Sequence, residues 1–482
     1  MWARTTSSAM PTNTHANRAN KMPPAFGTSG LRGLVTDLTD DLVRAYCHAF
    51  TTILPSQTVY VGRDLRPSSP RIAEAVTAAL IEVGIDVIDC GAICTPALAH
   101  LSMSQGAGAV MVTGSHIPAD RNGLKFYVPS GEITKSDEAM ISAAYAAGYT
   151  ADPEPSGRFT TLANADAGFI DRYLASFAPD TLAGQRIGLY QHSSVARDML
   201  ATLLTKLGAT VIPFGRSDTF IPVDTEATSA ETQSMLAAWC AEHALDAIVS
   251  TDGDGDRPLV TDETGTIILG DILGLFTARY LGATQVVMPV TSNAMIAQQP
   301  QFEQVHLTQI GSPYVIAGMD ACQPANVVGF EPNGGFLLGF QAGQLAPLMT
   351  RDCVLPMLSV LATARSQNIT LGQLVGQLPD WFSAADRIQN IDRTKATQLI
   401  ATLTEDETER AAFFAPFGTI EAVDLTDGLR VTLAKGALIL HLRLSGNAPE
   451  FRVYAQAADQ TAATAHQRRL LEMVSGALAQ GA

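Results

Sequence analysis

The sequence is short of basic residues and of long apolar runs, and each shortage excludes a class of protein. Its 482 residues include 31 Lys and Arg against 47 Asp and Glu, a formal net charge of −16 at pH 7. A surface of this charge repels phosphate backbones and anionic lipids, so we predict no nucleic-acid partner. No uncharged apolar stretch reaches the length of about 18 residues that a membrane-spanning helix needs, so we also predict no membrane partner.

Cysteines are few and scattered. The six are Cys47, Cys90, Cys94, Cys240, Cys322 and Cys353. Only Cys90 and Cys94 lie close together, and no second pair matches them as the ligands of a structural zinc ion would require. The pattern predicts reduced thiols in a cytoplasmic protein rather than a disulfide framework.

The first 22 residues contain no acidic residue and no apolar core of the kind that a signal peptide needs. They predict a disordered tail. Two alternatives stay open. One is a transit peptide, because Arg4, Arg18 and several Ser and Thr are present, and the other is a translation start at Met10 or Met22.

Apolar residues make up 46% of the chain, and its length is sufficient for several cores. From residue 23 on, short Val- and Ile-rich runs alternate with Ala- and Leu-rich segments of helical period, which is typical of α/β layers. The runs that predict strands include 58–61, 109–112, 186–190 and 285–288. The segment 69–80 predicts a helix with Ser69 as its N-cap and Pro70 at its first position.

The alternation restarts near residues 166 and 276, which predicts three α/β domains that are candidate structural repeats. The last part of the chain differs: strand-like runs at 429–433 and 437–442 flank a Lys-Gly turn, 451–454 adds a strand, and 460–480 reads as a helix. The predicted fold class is α/β, with three α/β domains and a C-terminal α+β domain. The predicted bounds are 23–165, 166–275, 276–383 and 384–482.

An acidic loop is the most informative segment. Asp252, Asp254 and Asp256 alternate with glycines directly after an apolar, strand-like run. Glycine lets a backbone fold tightly enough for three carboxylates to converge on one hard cation, so the pattern predicts a divalent-metal site. A solvated acidic turn is the plain alternative. An EF-hand does not fit, because Arg257 stands where that loop needs glycine and Pro258 follows it.

A second polar loop, Thr-Gly-Ser-His-Ile-Pro at 113–118, follows the predicted strand at 109–112. A neighbouring Ser and His are weak evidence of a nucleophile by themselves, because adjacent side chains point in different directions. Beside a cation in the acidic loop, Ser115 becomes a workable phosphoryl donor or acceptor, since the metal offsets the charge of the transferring group. Lys125 is a candidate for neutralising phosphate or assisting proton transfer, with an ordinary surface lysine as the alternative.

Six motifs, in this order, resemble those of the α-D-phosphohexomutase family, which includes phosphomannomutases, phosphoglucomutases and phosphoglucosamine mutases. They are Phe-Gly-Thr-Ser-Gly-Leu-Arg-Gly at 26–33, Gly-Arg-Asp-Leu-Arg-Pro-Ser-Ser at 62–69, the serine loop at 113–118, the acidic loop at 252–257, Phe-Glu-Pro-Asn-Gly-Gly at 330–335 and Arg-Leu-Ser-Gly-Asn-Ala-Pro at 443–449. The resemblance covers residues 23 to 460. It implies a four-domain, heart-shaped molecule in which each domain contributes one loop to a central cleft.

The resemblance also implies roles for individual residues at the reacting end of the site. Ser115 matches the family's phosphoserine, and the implied magnesium ligands are Ser115, Asp252, Asp254 and Asp256. The remaining candidate catalytic residues are Arg32, His116, Lys125 and Arg257. Of these, Arg32 and Lys125 match residues around the transferring phosphate, and Arg257 closes the metal loop.

At the other end of the site, Glu331 and Asn333 match the loop that holds sugar hydroxyls, where a carboxylate can accept from two hydroxyls at once. The residues that match the grip on the non-reacting phosphate are Arg443, Ser445, Gly446 and Asn447. Arginine offers a forked, charge-assisted contact there, and glycine frees backbone N–H groups.

The chain departs from the family pattern in two loops. Many relatives have Glu-x-Ser-Gly-His in the sugar loop, whereas this chain has Asn333 in place of the serine and Gly335 in place of the histidine. A proton-transfer role of that histidine therefore does not carry over. Many relatives also have Thr-Glu where this chain has Asn447 and Ala448; an asparagine amide still donates to phosphate, but a carboxylate contact is lost.

The implied activity is that of an isomerase, an intramolecular phosphotransferase that interconverts mannose 1-phosphate and mannose 6-phosphate, with glucose phosphates as further candidate substrates. The implied cofactors are Mg²⁺ and a sugar 1,6-bisphosphate activator, and the partner is a phosphorylated hexose. Alternatives are a phosphoglucosamine mutase, a phosphoglucomutase, a sugar-bisphosphate synthase or slow phosphatase, and a non-catalytic sugar-phosphate-binding paralogue. Monomer and homodimer both stay open.

Overall fold

The computed structural model describes residues 24–27, 29–149, 156–322, 326–446 and 449–480. These residues form four sheets with their own helices, the first three mixed and the last antiparallel. The predicted fold class, α/β domains followed by an α+β domain, is confirmed. The predicted disordered tail at 1–22 lies outside the described residues.

Residues 25–161 form the first sheet and four helices. The elements are β1 (Ala25–Phe26), β2 (Leu31–Leu34), α1 (Asp40–Thr51), β3 (Thr58–Arg63), α2 (Ser69–Ile81), β4 (Asp86–Ala92), α3 (Thr95–Ser104), β5 (Gly108–Val112), β6 (Arg121–Val128), β7 (Gly131–Glu132), α4 (Lys135–Ala146) and β8 (Phe159–Thr161). The strand order is β1-β2-β6-β5-β3-β4-β8, with β7 paired to β6. The central strand β5 is buried along its whole length, as expected for an apolar run covered by helices on both faces.

The second sheet follows. Its elements are α5 (Ala167–Leu174), β9 (Arg186–Tyr190), α6 (Arg197–Lys206), β10 (Thr210–Phe214), α7 (Ala230–His243), β11 (Ala247–Thr251), β12 (Pro258–Thr261) and β13 (Ile267–Ile268). The strand order is β10-β9-β11-β12-β13.

The third sheet completes the α/β part of the chain. Its elements are α8 (Gly270–Leu281), β14 (Gln285–Pro289), a 3₁₀ turn (Ala294–Gln298), β15 (Gln304–Thr308), α9 (Ser312–Ala321), β16 (Val327–Phe330), β17 (Phe336–Leu338), β18 (Leu348–Asp352), α10 (Val354–Gln367) and α11 (Leu371–Val375). The strand order is β15-β14-β16-β17-β18.

These three sheets share one arrangement, which supports the prediction of structural repeats. Each has three parallel neighbours and then an antiparallel fourth strand: β4-β3-β5-β6, β10-β9-β11-β12 and β15-β14-β16-β17. The segments that join the third strand to the fourth are 113–120, 252–257 and 331–335. The serine, acidic and sugar loops therefore occupy the same position in successive units, at the carboxyl end of a buried parallel strand, where α/β sheets place their sites.

The C-terminal part is an antiparallel sheet with helices on one face. Its elements are β19 (Phe382–Gln389), α12 (Arg393–Glu405), α13 (Glu407–Phe414), a 3₁₀ turn (Ala415–Phe417), β20 (Ile420–Asp424), β21 (Leu429–Leu433), β22 (Leu438–Leu444), β23 (Glu450–Ala457) and α14 (Gln460–Gln480). The strand order is β19-β23-β22-β21-β20. The predicted hairpin, last strand and closing helix are confirmed.

The predicted N-cap of α2 is wrong. The helix begins at Ser69, so the cap is Ser68, which has helical backbone angles and makes no capping side-chain hydrogen bond. The Ser69 hydroxyl instead donates to Asp64 Oδ1 and accepts from Asn122 Nδ2 at 2.9 Å. A network with distant residues has therefore taken the hydroxyl that a local rule assigned to the helix end.

All six cysteines are free. Within the described residues, the search for helices long and apolar enough to cross a membrane finds none.

Candidate active site

Ser115 is held in an uncommon backbone conformation. Its φ of 54° lies in the left-handed region, which costs a residue with a side chain roughly 1–2 kcal/mol. The Thr113 hydroxyl accepts a hydrogen bond from Ser115 N at 2.7 Å and donates to Asp64 Oδ2 at 2.7 Å. The serine is only 4% exposed. Such strain persists only where the surroundings determine the conformation, which is common at functional sites.

Arg66 donates several hydrogen bonds to the serine loop. Its guanidinium donates to the carbonyl oxygens of Ser115 at 2.8 Å, Pro118 at 2.7 Å and Arg121 at 2.9 Å. Its charge is paired with buried Asp64, at 3.1 Å from Arg66 Nε to Asp64 Oδ2. Sequence reasoning missed the function of both residues. The motif at 62–69 was recognised, but nothing in it shows which distant carbonyl groups the arginine would meet.

The acidic loop lies directly against Ser115. The serine Oγ donates to Asp252 Oδ2 at 2.5 Å. Asp252, Asp254 and Asp256 are fully buried, and one oxygen from each lies within 4.8 Å of the others. Gly255 has a φ of 72°, which glycine adopts without strain, and this lets the loop turn its carboxylates inward. The structure thus brings together the serine and aspartates that the sequence placed far apart.

Neighbouring cations divide the three carboxylates by charge state. Burial, with the charges of Asp254 and Asp256, raises the pKa of Asp252 well above its usual value. Burial also opposes ionisation of Asp254, but Lys125 Nζ at 2.6 Å outweighs it and lowers the pKa of that carboxyl group. For Asp256, Arg351 and Lys125 likewise overcome burial and lower the pKa. The site therefore holds two firmly ionised carboxylates beside one that retains a proton more readily.

The chemistry of this loop fits a divalent cation. Asp254 Oδ1 and Asp256 Oδ1 are buried and, among the described residues, have no hydrogen-bond partner. Buried carboxylate oxygens without donors are costly unless a cation compensates them, and hard oxygen ligands suit Mg²⁺ or Ca²⁺. These three residues can together hold such an ion.

Three further predicted residues lie beside the serine. Arg257 Nη1 donates to His116 Nδ1 at 2.9 Å, and the same ring nitrogen lies 3.4 Å from Ser115 Oγ. Burial, with nearby Arg257, lowers the pKa of His116 to about 3, so the imidazole is neutral at pH 7. Arg32 Nη1 donates to the carbonyl oxygen of Thr113 at 2.6 Å. Burial lowers the pKa of Arg32 to about 10, which leaves the guanidinium charged at pH 7.

The sugar loop connects β16 to β17. Glu331 is buried, and its N–H and C=O close the turn with Gly335 O at 3.2 Å and Gly334 N at 2.9 Å. Asn333 Oδ1 accepts from Gly335 N at 3.0 Å, and Thr225 of the second unit donates to Asn333 O at 2.9 Å. This loop is therefore fixed both by its own turn and by the unit that carries the acidic loop.

Arg351 links the acidic loop to two others, and sequence reasoning missed it. The residue stands on β18, where no motif marks it. Its guanidinium donates to Asp256 Oδ2 at 2.6 Å and to Ser29 Oγ at 3.0 Å, and lies 3.7 Å from Glu331 Oε2.

The C-terminal loop that is predicted to bind the non-reacting phosphate, here called the phosphate loop, joins β22 to β23. Arg443 is buried, with its Nε 3.4 Å from Asp427 Oδ1, and Ser445 N donates to Glu450 O at 2.9 Å. Gly446 is exposed, and a Cβ there would meet no atom within 4 Å. Asn447, the fourth predicted residue of this loop, lies outside the described residues.

Comparison with protein families gives three successive matches. The phosphoglucomutase/phosphomannomutase alpha/beta/alpha domain I matches residues 23–152, domain II matches 167–265 and domain III matches 262–382. These matches cover more than half of the chain, and each contains one of the serine, acidic and sugar loops.

Individual proteins resemble the chain along most of its length. A phosphomannomutase of Sinorhizobium fredii (strain NBRC 101917 / NGR234) is 47% identical over 461 residues, covering 92% of this chain and 97% of the relative. A phosphomannomutase of Salmonella muenchen is 44% identical over 453 residues, covering 92% and 93%. The crystal structure of a phosphoglucomutase/phosphomannomutase family protein from Burkholderia thailandensis has the same fold, with a TM-score of 0.77 at 21% identity over 94% of this chain and 97% of that one.

Proposed function

Because this chain belongs to the phosphoglucomutase/phosphomannomutase family, we propose that it interconverts mannose 1-phosphate and mannose 6-phosphate. It is an isomerase that acts as an intramolecular phosphotransferase. The observation that carries the proposal is the contact of Ser115 Oγ with Asp252 inside a buried acidic loop, in a chain that is 47% and 44% identical to two phosphomannomutases. Glucose phosphates are further candidate substrates.

In the proposed first step, phospho-Ser115 donates its phosphoryl group to the free hydroxyl of the sugar phosphate. A phosphorus–oxygen bond to the sugar forms while the bond to Ser115 Oγ breaks. The hydroxyl proton ends on Ser115 Oγ, where the structure has it donated to Asp252. The resulting sugar 1,6-bisphosphate turns around, and its other phosphate returns to the serine. A sugar 1,6-bisphosphate from solution would restore a lost phosphoserine and so act as activator.

Mg²⁺ is the proposed cofactor, held by Asp252, Asp254, Asp256 and the oxygen on Ser115. When bound, it would offset negative charge on the transferring phosphoryl group. The chain adds its own positive charge: Lys125 bonds Asp254 and Asp256, and Arg32 is anchored to the serine loop through Thr113 O. We propose that these two cations orient the phosphoryl group.

His116 and Arg257 are proposed to act as a pair. The neutral imidazole accepts from Arg257 Nη1 and so fixes the guanidinium beside Ser115. At the other end of the cleft, Glu331 and the Asn333 amide would hold sugar hydroxyls. The group proposed to bind the non-reacting phosphate comprises Arg443, Ser445, Gly446 and Asn447.

The domain limits are part of the proposal. We keep the predicted bounds 23–165 and 384–482. The predicted limit between 275 and 276 falls inside α8, Gly270–Leu281, which packs on α10 of the third unit, so we place that limit before Gly270. A cytoplasmic location is supported by the six free cysteines. A monomer or homodimer is proposed for the oligomeric state.

The test is phosphorus NMR of the purified protein with Mg²⁺ and a trace of glucose 1,6-bisphosphate. Mannose 1-phosphate, glucose 1-phosphate and glucosamine 1-phosphate are given in separate tubes. We expect fastest conversion to the 6-phosphate with mannose 1-phosphate. Faster conversion of glucosamine 1-phosphate would replace the proposed substrate. Three unchanged spectra would contradict the proposed mutase activity, and net release of inorganic phosphate would indicate a phosphatase.

Replacement of Asp254 with Asn tests the cation site. A neutral ligand should weaken binding of a divalent cation about 10- to 100-fold, because charge balance in the loop is lost. Binding is measured directly by electron paramagnetic resonance with Mn²⁺, apart from activity. Asp198→Asn is the control, since Asp198, on α6, is an exposed carboxylate paired with Arg216. Equal Mn²⁺ affinity in both variants would place the cation elsewhere.

A further inference from the structure

Arg351 and Gly335 are packed as complementary shapes. A Cβ on Gly335 would lie 2.6 Å from Cδ, 2.7 Å from Cγ and 3.0 Å from Cβ of Arg351. Real Cβ atoms almost never approach other carbons so closely, because repulsion rises steeply below van der Waals contact. The arginine stem therefore occupies the space that any side chain at position 335 would need.

The guanidinium of Arg351 contacts three loops through two of its nitrogens. Nη2 donates to Asp256 Oδ2 of the acidic loop at 2.6 Å and to Ser29 Oγ of the glycine-rich loop at 3.0 Å. Nη1 lies 3.7 Å from Glu331 Oε2 of the sugar loop. A planar guanidinium fixes the directions of its donors relative to one another, so it also fixes the separation of the groups that it contacts.

The arginine itself is held by the first unit. Glu132 Oε1 on β7 accepts from Thr350 Oγ1 at 3.1 Å and from Arg351 N at 3.4 Å, while Glu132 Oε2 accepts from Ser312 Oγ at 2.8 Å. Arg351 is only 3% exposed. The backbone of Arg351 is thus held by Glu132, and its guanidinium lies in the site.

The carboxylate of Glu331 is also paired with this arginine. Its Oε2 is buried and, among the described residues, has no hydrogen-bond partner, while Arg351 Nη1 is the cation paired with it. Burial opposes the charge of Arg351, but Asp256, Glu132 and Glu331 raise its pKa well above the usual value. A guanidinium that stays charged neither takes nor gives protons at working pH, so its contribution is geometric and electrostatic.

We propose that Arg351 is a positioning residue that sets the distance between the sugar-binding carboxylate of Glu331 and the phosphoryl site at Ser115. Glycine is required at position 335 because any side chain there would occupy the space of the Arg351 side chain. The inference rests on the proposed function, since Glu331 must contact the sugar. It makes Arg351 a determinant of how the hexose lies relative to the phosphoserine.

Arg351→Lys is the test. An ammonium can still donate from one nitrogen to Asp256 and Ser29, but it has no second nitrogen to pair with Glu331. We expect KM for mannose 1-phosphate and the calorimetric Kd for mannose 6-phosphate to rise about tenfold, because buried Glu331 loses its paired cation and is no longer held in place. Mn²⁺ affinity should change less than about threefold and Tm less than about 2 °C. Arg365→Lys is the control, because the Arg365 side chain on α10 donates, within the described residues, to Ala183 O at the surface and not to the site.

Gly335→Ala provides the second arm. It should raise KM and Kd by a similar factor by displacing Arg351, and the double variant should be no worse than the poorer single, because both changes break one interaction. A lowered Tm with unchanged KM and Kd in Arg351→Lys, or additive effects in the double variant, would overturn the inference. A wild-type protein that binds these sugar phosphates without isomerising them would overturn the proposed function alone, since Kd still tests Arg351. A wild-type protein that binds none of them would overturn both.

Discussion

One hydrophobic core runs through all three α/β units, each of which also has a smaller cluster of its own, whereas the core of the C-terminal unit is separate from all of these. The shared core extends from Tyr60 on β3 to Leu374 on α11 and includes residues of all three α/β units. The C-terminal core is a separate cluster from Ala396 to Val474. The serine, acidic and sugar loops thus stand on one continuous packed body, while the phosphate loop stands on another.

Polar contacts join the two bodies. Gln456 Oε1 accepts from Ala294 N at 2.9 Å and from Trp381 Nε1 at 3.0 Å, and its Nε2 donates to Ser292 O at 3.0 Å. Asp427 Oδ2 accepts from Ile310 N at 3.0 Å. Contacts of this kind cost little to break and remake compared with a shared apolar core. Under the proposed function, the loops proposed for phosphoryl transfer and sugar binding stand on one packed body, and the loop proposed to bind the distal phosphate stands on a second body whose contacts can be remade.

The largest effect is expected in the body formed by the three α/β units, here called the fixed body, at the proposed nucleophile Ser115. Ser115→Ala should lower kcat at least about 10⁴-fold, because the variant lacks the hydroxyl that is proposed to carry the phosphoryl group. Tm should stay within about 2 °C, since only one hydroxyl is removed. Turnover is measured by phosphorus NMR with mannose 1-phosphate. Ser359→Ala, at a buried serine on α10 whose hydroxyl has no partner among the described residues, is the matched control. Near-normal turnover of Ser115→Ala would contradict the mechanism.

The next largest effect concerns the support of the serine loop. Arg66→Ala leaves buried Asp64 without its cation and several loop carbonyls without donors, so it should destabilise the fixed body by about 3–5 kcal/mol. Urea unfolding measures this loss, and kcat should fall in the protein that remains folded. Arg71→Ala is the control, because that exposed pair with Asp40 should contribute less than about 1 kcal/mol. Equal losses of unfolding free energy in the two variants would mean that the Arg66 contacts do not stabilise the serine loop.

The joint between the two bodies gives a smaller effect. Gln456→Ala removes the hydrogen bonds to Ala294, Trp381 and Ser292 and should weaken docking of the C-terminal unit by about 1–3 kcal/mol. Scanning calorimetry should then resolve an earlier transition for this unit, with the main transition unchanged. Gln398→Ala, at an exposed position on α12, should leave a single profile. A uniform downward shift of the whole profile by Gln456→Ala would show that the bodies unfold as one.

The smallest effect separates the two bodies by pH. Burial lowers the pKa of His192 in the second unit and of His441 in the C-terminal unit to about 4 each, against 6.5 in an unfolded chain. The unfolded state therefore binds more protons between pH 6.5 and 4, so stability falls as pH falls through this window, by about 1.4 kcal/mol per pH unit for each histidine. In the Gln456→Ala background, where the two transitions should be resolved, His192→Gln should remove this slope from the main transition and His441→Gln from the C-terminal one.

Calorimetry at several pH values between 4.5 and 6.5, roughly the window set by those two pKa values, measures this effect. Above about pH 7.5 neither state of either histidine binds a proton, so the slopes of variant and wild type should agree there, which is the internal control. If each substitution changed both transitions alike, the two bodies would be coupled more tightly than their separate cores indicate.

Much of the fold follows from local pattern. The strand Arg186–Tyr190 and the helix Gln460–Gln480 have the predicted bounds because apolar periodicity is a property of consecutive residues. The acidic loop was equally predictable, because its carboxylates and glycines are neighbours in the chain, whereas Ser115 was assigned only together with that loop and through the family resemblance. Ser69 shows the limit of this approach, because its hydroxyl is used by Asp64 and Asn122 rather than by the helix that it begins.

By itself, the sequence determined the order of the elements, the repeated α/β units and the loops that carry chemical groups, because each depends on neighbours in the chain. Only the tertiary structure decided what those loops meet. Arg66 finds its carbonyl partners about 50 residues away, and Arg351 reaches Ser29 across 322 positions and Asp256 across 95. Contacts at such separations arise from the packing of whole units against one another, and no local pattern in the chain records them.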